Sequence, residues 1–308
     1  GLAPGWRAAF TLPLAIWLLP ESKDPMPGPF DLWSIIGSML MMIPFVFMIK
    51  HIATHGLDSI ALAMGMFGAL AGYWFVRRQT ASAHPMVDFS LFKNRVFSGA
   101  LLANGLSMMG LTGFLFMGTQ LLQVVLGLSP MEAAMVLLPG LIICVVAGFG
   151  AVHLVERFSP RALIAGSFFA SGLGYALLAF TGQPTATSVV WAFSILSLGI
   201  GIAETLTNDL ILASVPEAKA GAASALSETA YEVGAVLGVA FLGSVLTATF
   251  RNNLEVPSEA REAVGANAFE TLGSTFEVAS HMSSSVREAV EASAIAAYDL
   301  GVQFTAGV

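Results

Sequence analysis

The chain has 308 residues, of which 56% are hydrophobic and only 11% charged, with a net charge of −7 and a mean hydropathy of +0.78. Soluble domains carry roughly 25% charged residues, so too little polar surface is present here to coat a water-soluble globule. Much of the acid excess lies after Phe250 and says little about the membrane region; no nucleic-acid partner is expected, and the single cysteine, Cys144, excludes a disulfide framework within one chain.

The apolar residues fall into blocks of roughly 17–25, the length that crosses a hydrocarbon core. In lipid the backbone must satisfy its own hydrogen bonds, so spans are helices or closed barrels. Continuous blocks, without alternation at period two, select helices. In chain order the predicted spans are Ala8–Leu19, Leu32–Ile49, Ser59–Val76, Phe97–Gly118, Ala133–Val152, Ala162–Phe180, Ser188–Leu212, Ala222–Thr249 and Ala289–Val308. The first is too short to span undistorted and the last runs into the chain end, so both read as truncated. The start, Gly1–Arg7, lacks an initiator Met and a basic stretch before a cleavable apolar region. It reads as the middle of something longer, not as a signal peptide.

Between the first two blocks, Lys23–Pro29 carries three prolines and forms a stiff connector. Ser129-Pro130-Met131-Glu132 reads as a helix start, with proline and an acid in the first turn. Cytoplasmic loops are enriched in Lys and Arg. The loop holding Arg77, Arg78, Lys93 and Arg95 is therefore expected inside, with Arg157, Arg161 and Lys219 on the same side. Segment Arg251–Glu288 then falls outside, where its alternating Glu, Arg, Ala and Ser predict short amphipathic surface helices.

Four acids lie in or at the ends of apolar blocks: Glu204, Asp209, Glu228 and Glu232. An acid at a span centre costs about 2.5–3.5 kcal/mol on insertion scales, so a span that keeps one usually uses it on an ion or substrate pathway. Glu228 and Glu232 are four apart and share a helix face, with Tyr231 beside it. Two such carboxylates repel when both are ionised, which favours holding a proton, while either one attracts an organic cation. The plainer readings are a solvated helix end for Glu228 and a helix-terminus role for Asp209. Glu204 lies about eight residues in from the end of its block and is followed by Thr205, Thr207, Asn208 and Asp209.

In the same block as the acid pair, Gly234-x-x-x-Gly238 has the spacing that lets two helices approach closely. Met39, Met41, Met42 and Met48, with Met108, Met109 and Met117, fit a pliable binding wall or, more commonly, ordinary packed surface. Enzyme signatures are weak. His51 and His55 have metal-pair spacing but lack the Glu of a metalloprotease motif, and they are expected in a short loop. Neither a metal nor a cofactor is called for.

The run Thr207-Asn208-Asp209-Leu210 through Ser214-Val215-Pro216, then Ala220–Ala225 and Glu228–Gly234 to Gly238-Val239-Ala240, resembles the fourteen-span drug:proton antiporters of the major facilitator superfamily. Gly5-Trp6-Arg7 with Leu19–Ser22, Val87-Asp88-Phe89 with Leu91–Arg95, and Gln123–Pro130 with Leu138-Pro139 support it. The resemblance implies an all-α polytopic membrane protein: an incomplete helical bundle of about nine spans. Residues 1–22 would be the remnant of the last span of a missing N-terminal half. Residues 23–96 would be two additional linker spans and a cytoplasmic loop, and 97–308 the C-terminal six-span half with the external segment 251–288.

By the same resemblance, Glu228 and Glu232 match positions implicated in cation binding and proton coupling. The family often has a second acid just before Glu228, where this chain has Ser227, a departure that bears on divalent-cation preference. The implied function is export of lipophilic or quaternary ammonium cations in exchange for protons across the cytoplasmic membrane, with the N-terminal half required. Alternatives are transport of an endogenous metabolite and a non-transporting membrane remnant.

Overall fold

The computed structural model describes residues 31–82, 85, 87–181, 185–257, 260, 264 and 266–307. The expected span Ala8–Leu19, the Lys23–Pro29 connector and the supporting motifs before residue 31 lie outside them. Every described secondary-structure element is helical: α1 (Leu32–His55), α2 (Ser59–Ala81), α3 (Arg95–Gln120), α4 (Pro130–Leu154), α5 (Pro160–Ala179), α6 (Ala186–Ala213), α7 (Ala220–Leu237), α8 (Gly243–Asn253), α9 (Leu272–Ser280) and α10 (Ser284–Gly307). A π turn, Leu121–Val125, prolongs α3, and another, Gly238–Leu242, joins α7 to α8 into one rod.

Seven rods among the described residues are long and apolar enough to cross a membrane, from 18 to 34 residues. The chain is a multi-pass membrane protein. The expected last span differs from these. α10 begins at Ser284, ahead of the predicted Ala289, and carries Arg287, Glu288, Glu291 and Asp299. Those charges keep it out of the seven.

Local chemistry sets the helix starts. Asp58, Asn94, Ser129, Ser159 and Thr185 each accept a backbone N–H of the following first turn, filling donors that the helix leaves open. At Ser129 the box is reciprocal, because Glu132 returns a bond to the Ser129 N–H at 2.9 Å. One expectation fails here. His51 and His55 belong to α1, which runs on past the predicted Ile49. His51 Nε2 lies 2.9 Å from Oδ2 of Asp58, the cap of α2, so a pairing across the turn keeps the helix wound to His55.

α6 is the centre of the bundle, with 56% of its most apolar window buried against 17–39% for the other rods. It packs on α4 and α5, while α3 packs on α6 and α7. The core gathers around Phe114, whose ring stacks on Phe193 at 5.4 Å and meets Tyr175 edge-on at 5.5 Å. The buried hydroxyls of Tyr175 and Tyr298 donate to the carbonyls of Gly110 (2.6 Å) and Met117 (2.9 Å). Outward faces stay apolar, as at Val145, Phe149 and Phe169, because lipid rather than water surrounds them.

The segment after α8 is more than a set of surface helices. Leu254, Ala260, Phe269, Leu272 and Ala279 are buried in the main core with Leu246, Phe250 and Val290. The segment covers the end of the bundle where α3 finishes and α6 begins. At the opposite end Lys219 Nζ meets Asp88 Oδ2 at 2.5 Å, and Asn94 Nδ2 donates to the Ser214 carbonyl at 3.1 Å. Residues 87–94 and 214–219 therefore share one face of the molecule.

Candidate functional site

α7 presents two unlike faces, and the packing of α3 separates them. Gly234 and Gly238 are buried against α3, where an added Cβ would collide with the carbonyls of Gly105 and Met109. Above them Asn104, 3% exposed, donates from Nδ2 to the Ser227 hydroxyl at 3.0 Å and its carbonyl at 3.2 Å. The Ser227 hydroxyl donates in turn to Asn208 Oδ1 on α6 at 3.0 Å. Thr112 adds a bond to the Ala235 carbonyl at 3.0 Å. α3, α6 and α7 are thus tied at one level by a continuous polar chain, and the rotation of α7 about its axis is set.

That rotation turns Glu228 and Glu232 away from α3, and both are exposed on the bundle surface. Glu232 lies twelve residues into the rod, about 18 Å along its axis. A carboxylate at that depth is not stable against acyl chains, so this strip faces water or further protein. Tyr231, next to Glu232 in sequence, is half-buried on α7. Glu228 and Glu232 share one exposed face of α7, while Glu204 is half-buried on the neighbouring α6.

Glu204 comes from α6, seated by close packing on α4. An added Cβ on Gly201 would collide with the Cys144 carbonyl, and one on Gly148 would come within 2.9 Å of Thr205 Oγ1. Oε1 of Glu204 is buried and has no hydrogen-bond partner among the described residues. Asp209, one and a half turns further, is exposed near the end of α6. α6 and α7 thus carry one half-buried carboxylate, Glu204, and three exposed ones, Asp209, Glu228 and Glu232.

Asn104 is the participant that sequence reasoning missed. The available signal was a lone carboxamide in an otherwise apolar span, next to Gly105. Polar side chains so placed usually bond across helices. Ser227, read only as the place of an absent acid, is 4% exposed and occupied with Asn104 and Asn208. It does not face the strip that carries Glu228 and Glu232.

Comparison with known proteins fits this architecture. The profile described as Major Facilitator Superfamily matches residues 1–239. The chain is 42% identical to the "Multidrug efflux pump LfrA" of Mycolicibacterium smegmatis, over 98% of this chain and 62% of that protein. It is 30% identical to the "Methyl viologen resistance protein SmvA" of Salmonella typhimurium, over 90% and 58% of the two chains. Against the "Drug efflux pump JefA" of Mycobacterium tuberculosis the identity is 30%, over 79% and 50%. The chain spans about half to three-fifths of the length of these relatives. With helical rods, central packing and sequence in agreement, the chain belongs to the Major Facilitator Superfamily.

Proposed function

We propose that this chain is the acid-bearing part of a proton-coupled efflux antiporter for lipophilic, quaternary-ammonium-type cations in the cytoplasmic membrane. The observation that carries the reading is the pair Glu228 and Glu232, exposed on one face of α7 inside a membrane-length rod, with half-buried Glu204 on the neighbouring α6. A carboxylate attracts a cation by its charge and loses that attraction on taking a proton, so cation and proton compete for one site. Alternating access follows if this half rocks against a second half around the acid strip. The cation leaves on the side where the acids are protonated, and the returning proton is released inward.

The drug-efflux names of the relatives support the class of substrate. In the fourteen-span arrangement that we propose, α1 and α2 form the additional pair. They pack chiefly on each other, and α1 reaches the rest of the bundle at the π turn and α8. The polar chain through Asn104 serves as the bearing that holds the acids at a fixed angle.

The test places this chain in LfrA, replacing the portion to which it is 42% identical. Everted vesicles are then assayed for ethidium uptake and for proton release on adding ethidium. Glu232→Gln and Glu228→Gln are expected to lower drug-induced proton release by about tenfold or more, while Asp209→Asn lowers it less than about threefold, in keeping with the usual cost of losing a positioned proton carrier. Full proton release in both glutamate variants would remove the carboxylates from the coupling mechanism.

A further inference from the structure

On the face of the molecule that holds Asp88 and Lys219, a cavity of about 430 Å³ opens between the first turns of α3 and α5. Arg95 and Arg161 form its rim, and its floor is apolar, with Val96, Ala103, Ile164 and Leu210 among the lining residues. No acidic side chain lines it, and neither arginine forms an ion pair within 4 Å among the described residues.

Each arginine sits in the first turn of its helix, where the positive end of the backbone dipole disfavours a cation. Neither first turn contains an acid to offset the charge. Two guanidiniums around one cavity therefore form a concentrated positive rim above a hydrophobic floor. A guanidinium pairs with phosphate oxygens through parallel N–H bonds. The volume falls within the usual range for small-ligand sites, roughly 300–1,000 Å³.

We infer that Arg95, Arg161 and the cavity between them bind the phosphate of an anionic phospholipid, with the proximal acyl chain lying on the apolar floor. The rim alone suits any phosphate; the floor selects a ligand with a hydrocarbon tail attached. This site is separate from the acid strip on α7. It gives the bundle a fixed anchor to the arginine-attracting leaflet, close to the loops that carry the Asp88–Lys219 pair.

Native mass spectrometry of the purified chain in detergent tests the assignment. The probes are dioleoylphosphatidylglycerol, dioleoylphosphatidylcholine and sodium phosphate. Phosphatidylglycerol is expected to bind most tightly, with sodium phosphate failing to displace it at equal concentration. Replacing an arginine near an anionic lipid surface weakens attraction by about fivefold, so Arg95→Gln with Arg161→Gln is expected to lower phosphatidylglycerol affinity by about 25-fold. The control pair Lys93→Gln with Arg157→Gln removes the same charge from the same face and is expected to change affinity less than about twofold, as for surface charges outside a site. Ala103→Phe fills the floor while leaving both arginines. It is expected to abolish phosphatidylglycerol binding and so serves if the double arginine variant fails to fold. Equal losses from the two charge pairs would overturn the site in favour of a general surface field. Equal binding of phosphatidylcholine, or full displacement by sodium phosphate, would overturn the anionic lipid as ligand.

Discussion

Asn104 on α3 reaches Ser227 on α7 with one amide nitrogen, bonding its hydroxyl at 3.0 Å and its carbonyl at 3.2 Å. Both residues are nearly inaccessible, so neither has water as a substitute partner. Because Glu228 is the next residue, the bond that locks Ser227 inward also points Glu228 outward. Interhelical hydrogen bonds of this kind contribute about 0.6 kcal/mol on average and up to about 1.7. A double-mutant cycle of Asn104→Ala and Ser227→Ala, read by thermal unfolding in nanodiscs, is expected to give a coupling energy of that size. Additive effects would mean that the pair does not hold α7.

The glycine contact makes a second, sharper prediction. Gly234→Val places side-chain carbon against the Gly105 carbonyl and forces α7 off α3. Overpacking of this sort typically costs about 1–3 kcal/mol. Gly221→Ala adds a methyl to open space at the exposed start of α7 and is expected to be neutral or slightly stabilising. The unfolding midpoints of the two variants, measured side by side, decide the matter. A Gly234→Val chain as stable as the parent would contradict the close approach.

At the loop end, stability should depend on pH through Asp88. The Lys219 ammonium and the Ser90 hydroxyl and N–H hold its carboxyl down to about 2, from an ordinary value of 3.8. A depressed folded value means the contribution is complete above about 4 and is lost as pH falls toward about 2. Cysteines at Ser82 and Glu217, in a Cys144→Ala background, would carry spin labels reporting the gap between the two loops. The distance distribution is expected to broaden through that window and to be broad at every pH in Asp88→Asn. A distribution that stayed narrow down to pH 2 would rule out the ion pair as the clasp.

Orientation offers a fourth test. Residues 87–94 and 214–219 share a face, and α10 begins at the opposite end of the bundle. With Arg and Lys concentrated at the first face, Ser82→Cys is expected to label only after permeabilisation, and Ser285→Cys in intact cells, both in the Cys144→Ala background. Labelling of both from outside by an impermeant maleimide would reject the arrangement.

The one-dimensional string determines whatever depends on runs of residues. The blocks Ala133–Val152 and Ser188–Leu212 predict helices that the structure extends by only a few residues, to Pro130–Leu154 and Ala186–Ala213. A span's length and apolarity are local quantities, and lipid leaves the backbone little choice. The shared face of Glu228 and Glu232 follows equally from helical period alone. What stands across from a residue is not local. That Ser227 is taken up by Asn104, 123 positions away, that Glu204 is half-buried while Asp209 is exposed, and that the segment after Asn253 packs into the core are decided by tertiary contact. His51 makes the same point at short range. Its hydrophilic surroundings read as a loop, yet one bond to Asp58 keeps the helix wound, because the partner that stabilises the last turn lies beyond the turn itself.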